Sequence, residues 1–167
     1  MRNSHTLGLT ACALVVAASG AASAADILVG NYSVNGFTTS TTCPAGSGTP
    51  TKGAVSIATV IYPGAGKAGM VLANPATTAK SAAGTGATQV CVATGKVPAA
   101  GLNNATMTFK CYNDTEKGPA TGPLATITSK FKVGASHSPQ IRTVEVTTTI
   151  PILGNCHFTN DGTYSHN

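Results

Sequence analysis

ATMTFKC, residues Ala105 to Cys111, alternates polar and apolar side chains without a break. Met107, Phe109 and Cys111 share one face, while Thr106, Thr108, Lys110 and Tyr112 share the other. A period of two belongs to an extended strand with one buried face. The run ATITSKFKV, Ala125 to Val133, repeats the scheme, with Ile127, Phe131 and Val133 on one side and Thr126, Thr128, Lys130 and Lys132 on the other. Between them, Asn113 to Pro123 carries Gly118, Pro119, Gly122 and Pro123 and reads as a hairpin-like turn.

Working outward, the same grammar covers the rest of the chain. Strands are expected over Asp26–Phe37, Ala54–Tyr62, Met70–Ala73, Thr88–Val97 and Ile141–Ile152. Cys156–Tyr164 reads as a last strand, or as a hairpin turning at Asn160-Asp161-Gly162. Loops are expected over Thr38–Lys52, Thr77–Gly86 and Gly134–Pro139. No amphipathic helix interrupts them. The fold class is therefore all-β: a single antiparallel β-sandwich, or a small β-barrel, of about seven or eight strands. Ala- and Thr-rich faces leave few bulky residues to fill a barrel, which tips the balance slightly toward a sandwich.

Residues 1–25 differ from all that follows. Arg2 and His5 give a positive start, Leu7 to Ala18 is apolar, and Ala21 to Ala25 is a run of small residues. These are the three parts of a cleaved secretory signal, with Ala22 and Ala24 or Ser23 and Ala25 before the cut. The apolar run is too short to span a bilayer, which takes roughly 20 residues. Leu9-Thr10-Ala11-Cys12 has the outline of a lipidation box, but few apolar residues precede Cys12 and a better cleavage site lies downstream. Residues 26–167 then form one all-β domain, with no transmembrane segment after signal removal.

That domain has nine basic and five acidic residues, a net +4, with the basic residues scattered and tryptophan absent. Nucleic-acid binders cluster their basic residues and interleave aromatics, so no nucleic-acid partner is expected. Leu, Ile, Val and Phe supply 27 of its 142 residues, a thin core that Thr and Ala are expected to supplement. Cross-links would compensate. Cys43, Cys91, Cys111 and Cys156 survive signal removal, and an even count after export reads as two disulfides with three pairings open. No C-x-x-C pair is present, so structural zinc is the weaker reading and no metal is expected.

No catalytic motif emerges. Gly46-Ser47-Gly48 lacks the nucleophile-elbow spacing, and Gly64-Ala65-Gly66-Lys67 and Gly84-Thr85-Gly86 are not phosphate loops. Asp114 and Glu116, the close carboxylate pair, read as a solvated hairpin tip beside Lys117, and Glu145 is expected to face outward. An enzyme would need distant residues to converge, such as His157 with Asp161 or Glu145; His137 and His166 lie in a loop and at the terminus. No cofactor is expected. Three sequons, Asn31-Tyr32-Ser33, Asn104-Ala105-Thr106 and Asn113-Asp114-Thr115, are expected to stay bare if the host is bacterial.

Lys110, Lys130 and Lys132 form the candidate binding surface. If their strands pair, all three lie outward among threonines, where they could meet lipopolysaccharide, an anionic glycan or an envelope protein. In length, signal type and Ala/Gly/Thr richness the chain resembles bacterial fimbrial subunits. Those carry a single disulfide, whereas four cysteines remain here, so no residue roles are carried over. The expected function is non-enzymatic: a secreted or periplasmic β-domain that binds a partner or builds the cell envelope, in a pilin-like manner. The alternative is a barrel that carries a hydrophobic ligand in a cavity lined by Met107, Phe109 and Phe131; a secreted hydrolase ranks below both.

Overall fold

The computed structural model describes residues 26–45, 49–74, 88–115, 118–119, 125–138, 140–154 and 156–167. Residues 1–25 with Cys12, Gly46-Ser47-Gly48, Gly84-Thr85-Gly86, Glu116 and Lys117 lie outside them, as do the side chains of Asp114 and His137.

Nine strands follow in chain order: β1 (Gly30–Thr41), β2 (Val55–Tyr62), β3 (Val71–Asn74), β4 (Thr88–Ala93), β5 (Thr106–Thr115), β6 (Gly118–Pro119), β7 (Ala125–Ser138), β8 (Ile141–Ile150) and β9 (Cys156–His166). Eight of them close a ring in the order β1-β2-β3-β4-β5-β7-β8-β9, with β9 pairing back onto β1. Every pairing is antiparallel. Strands adjacent in the chain are adjacent in space, which makes this an up-and-down barrel. The two-residue β6 only extends the end of β5, through Asp114–Pro119 and Thr115–Gly118. A 3-10 turn, Pro151–Leu153, joins β8 to β9. Among the described residues no helix is long and apolar enough to cross a membrane.

The alternation that decides the fold is realised as predicted. Met107, Phe109 and Cys111 point into the barrel, as do Phe131 and Val133, while Thr106, Thr108, Lys110, Lys130 and Lys132 stand outside. A perpendicular row runs Tyr32–Val60–Leu72–Cys91–Cys111–Ala125 across six strands, its side chains inward. The bulk that a barrel needs comes from tyrosine: Tyr32, Tyr62 and Tyr164 are buried beside Phe109, Phe131, Met70 and Leu102. Threonine mostly clothes the wall instead of filling the core. Thr38, Ser129 and Thr148 are the exceptions, paired as Thr38 Oγ1 donating to Asn160 Oδ1 (2.8 Å) and Ser129 with Thr148 (3.0 Å).

Several strand limits depart from expectation, β4 stopping at Ala93 and β5 running on to Thr115 among them. β1 runs on to Thr41 because Thr38 faces inward and finds Asn160; a register shift between Thr38 and Ser40 absorbs the extra length. β7 continues through Gly134–Ser138, again past bulges, instead of stopping at Val133. Asn160-Asp161-Gly162 is no turn: β9 passes straight through it, paired with β1 and β8 on its two sides.

The barrel's base, where β1 and β8 begin, is plugged. The segment joining β4 to β5 buries Val97 and Leu102, and residues before β1 bury Ile27. Asp26 fixes both pieces: Oδ1 accepts the Leu102 N–H (2.8 Å) and Oδ2 accepts the Tyr62 hydroxyl. Gly101 (φ +89°) is required there, since a Cβ would overlap the Asp26 carboxylate.

Two disulfides close the framework, Cys43–Cys156 and Cys91–Cys111. The second joins directly opposed residues of β4 and β5. The first ties the end of β1 to the start of β9. These seams lie on opposite sides of the ring, so the cross-links separate two four-stranded halves, β1–β4 and β5-β7-β8-β9. Two such bonds belong to an oxidising compartment.

Candidate functional site

A depression of about 410 Å³ opens on the outer wall, across β1, β9, β8 and β7. Two outward rows frame it. One runs Lys132–Glu145–Asp161–Phe37 and the other Thr143–Thr163–Asn35, each residue directly opposite the next on its neighbouring strand. Between the rows lies the inward-facing row Val144–Gly162–Gly36, so backbone forms the floor, with Gly36 and Gly162 opposite each other across β1 and β9. A Cβ on Gly36 would overlap the Asp161 carbonyl oxygen, so these two backbones approach only as glycine allows.

The lining is chemically mixed. Two carboxylates, Glu145 and Asp161, oppose each other, and Lys132 is the single cation on their row. Like charges directly opposite repel, and the row carries a formal −1. Phe37 is 52% exposed next to Asp161 and offers a ring face. Asn35 and Thr163 add exposed amide and hydroxyl groups. The site can therefore take hydrogen bonds from a polar ligand and stack an apolar ring edge, and it disfavours an anion.

The lysines chosen from sequence all face outward, with Lys130 and Lys132 neighbours on β7 and Lys110 set apart from them. Lys110 opposes Thr126 while Lys130 opposes Thr106, an offset of four residues, or about 13 Å along the ladder. That exceeds a Debye length of about 8–10 Å. Lys132, two residues beyond Lys130, faces Glu145 and belongs to the depression. Glu145 is outward, as expected.

The proposed carrier lining is packed. Phe109 and Phe131 are 0% exposed, with ring centroids 6.2 Å apart, and Met107 is buried beside them. The residues proposed for catalysis are dispersed. His157 lies four residues from Asp161 along β9, about 13 Å, and its Nδ1 sits 3.1 Å from the Thr42 hydroxyl. His166 is at the other end, edge-on to Tyr32 (5.1 Å) with Nε2 3.0 Å from the Val29 carbonyl oxygen. Among the described residues no group of three His, Cys, Asp or Glu side chains could hold a metal ion.

Sequence reading missed Asn35, Phe37 and the base cluster. Isolated glycines inside strands were the available signal, because they mark close backbone approach. Comparison with known protein families, with curated proteins and with solved structures returned no match.

Proposed function

We propose that the chain is an exported, non-enzymatic binding protein of the bacterial cell envelope, cleaved after a signal peptide and holding a polar, hydroxyl-rich ligand on its outer wall. The observation that carries this reading is the depression over Gly36 and Gly162, bordered by Phe37, Asn35, Glu145 and Asp161 on a barrel whose aromatic interior is packed. Exposed aromatic rings beside hydrogen-bonding side chains are the ordinary equipment of a small-ligand surface site. An uncharged glycan segment matches the lining better than an acidic one, and the disulfides match the compartment. Lys110 and Lys130 are left for an anionic envelope partner. Assembly by strand addition has less support, since each strand of the ring already has two neighbours.

The test uses the processed, oxidised protein, titrated with neutral oligosaccharides from envelope digests and followed by amide NMR. Shifts should concentrate at residues 35–37, 143–145 and 161–163. Phe37→Ala and Asp161→Asn should each weaken binding about tenfold while leaving the melting transition in place. Absence of shifts with every envelope fraction, at low and high salt, would end the proposal.

A further inference from the structure

Among the described residues, four of the eight exposed large apolar side chains share one region; Phe37, Val55 and Ile57 lie toward the far end of β1 and β2, and Ile141 at the start of β8. On the base side of β1–β4, Leu28, Val29 (64% exposed), Ile61 and Val92 lie open to solvent. Register places them together. Ile61 opposes Val71, Val71 opposes Val92, and Val92 opposes Lys110, giving an outward row of three β-branched apolar residues ended by a lysine. At the base beside this row, a Cβ on Gly64 would lie 2.9 Å from Val29 Cγ2 and 4.0 Å from Lys67 Cγ, so Val29 and Lys67 sit side by side. The Lys67 carbonyl accepts the Val97 N–H (2.8 Å), which brings Lys96 next to them. All three lysines are exposed.

The charge around this patch has one sign. Residues 26–97 contain a single acid, Asp26, and both its oxygens are engaged by Tyr62 and Leu102. An apolar cluster edged by Lys67, Lys96 and Lys110, with no outward acidic side chain from residues 26–97, is complementary to a surface that is apolar within and anionic at its face. Lysine stems can lie along acyl chains while their ammonium groups stay at headgroup level. Insertion of the whole barrel does not fit, because the opposite wall carries Lys130, Lys132, Glu145 and Asp161 outward, and charges on a lipid-facing wall are strongly disfavoured.

We infer that the base of the β1–β4 half docks peripherally on an anionic lipid bilayer, through Leu28, Val29, Ile61 and Val92 with Lys67, Lys96 and Lys110. This surface is distinct from the outer-wall depression, and either can fail without the other.

Co-sedimentation with vesicles of phosphatidylcholine alone, and of phosphatidylcholine with one-third phosphatidylglycerol, tests it on the processed, oxidised protein. Binding should require the anionic lipid and fall steeply in 0.5 M NaCl. Lys67→Glu with Lys96→Glu should reduce partitioning at least tenfold. Val29→Ser with Val92→Ser, which leaves the charge intact, should also reduce it severalfold. Lys52→Glu, at the opposite end, should change it little. The exposed turn positions of Lys67 and Lys96 make folding an independent readout, checked by the melting transition. Equal binding to both vesicle types, no binding to either, or equal losses from Lys52→Glu and the Lys67/Lys96 pair would overturn the inference.

Discussion

Asp26 accepts from two buried residues, through the Leu102 N–H and the Tyr62 hydroxyl. Removing its carboxylate takes this acceptor from both. An orphaned buried donor costs about 1–3 kcal/mol, so Asp26→Ala should destabilise the barrel by about 2–4 kcal/mol in urea denaturation, and Tyr62→Phe by about 1 kcal/mol. A loss below 0.5 kcal/mol for Asp26→Ala would show that the base is held by packing alone. Sequence gave no hint of this role, because Leu102 lies 76 positions away in a connection with no periodic pattern. The inward positions of Met107, Phe109 and Phe131 were readable for the opposite reason: each belongs to an unbroken local alternation that leaves one choice of face.

Among the elements, all eight ring strands were visible as runs, and the errors lie at their ends. β1 and β7 extend through Thr38–Thr41 and Gly134–Ser138, where side chains are small and polar and local propensity favours a loop. Pairing with β9 for β1 and with β8 for β7 overrides that preference. The disulfide pairing was not readable either, since the Cys91–Cys111 contact depends on the β4–β5 register and the Cys43–Cys156 contact on ring closure. The two cross-links should differ in strength. In the chain-entropy model a separation of 20 gives about 3 kcal/mol and one of 113 about 5 kcal/mol. Replacing each pair with alanine and comparing urea midpoints should therefore show the larger loss for Cys43/Cys156. The reverse order would mean that the unfolded chain already keeps its two ends close.

At the scale of the molecule, alternation alone fits a sandwich and a barrel equally well, because closure rests on β1 meeting β9 across nearly the whole chain. The wall site was hidden for the same reason: its two rows draw on four strands, and only Gly36 and Gly162 marked it. The interior has a pH signature of its own. Burial raises the phenol pKa of Tyr32, Tyr62 and Tyr164, and the Asp26 carboxylate raises Tyr62 further. The barrel thus holds the protonated phenols in preference to the ionised ones, relative to an unfolded value of about 10. Their contribution is complete below pH 10 and is lost as pH rises beyond it. Stability should stay level through neutrality and fall above pH 10, with the tyrosinate absorbance of these rings growing together with unfolding. Ionisation of all three in a still-folded barrel would contradict their burial. The nested arrangement of the two sulfur bridges also bears on biosynthesis. On the proposed export route Cys43 would emerge first, yet its partner Cys156 is the last cysteine in the chain. An oxidase acting on the emerging polypeptide would join it to Cys91, and maturation would then wait on a disulfide isomerase to undo that early mistake.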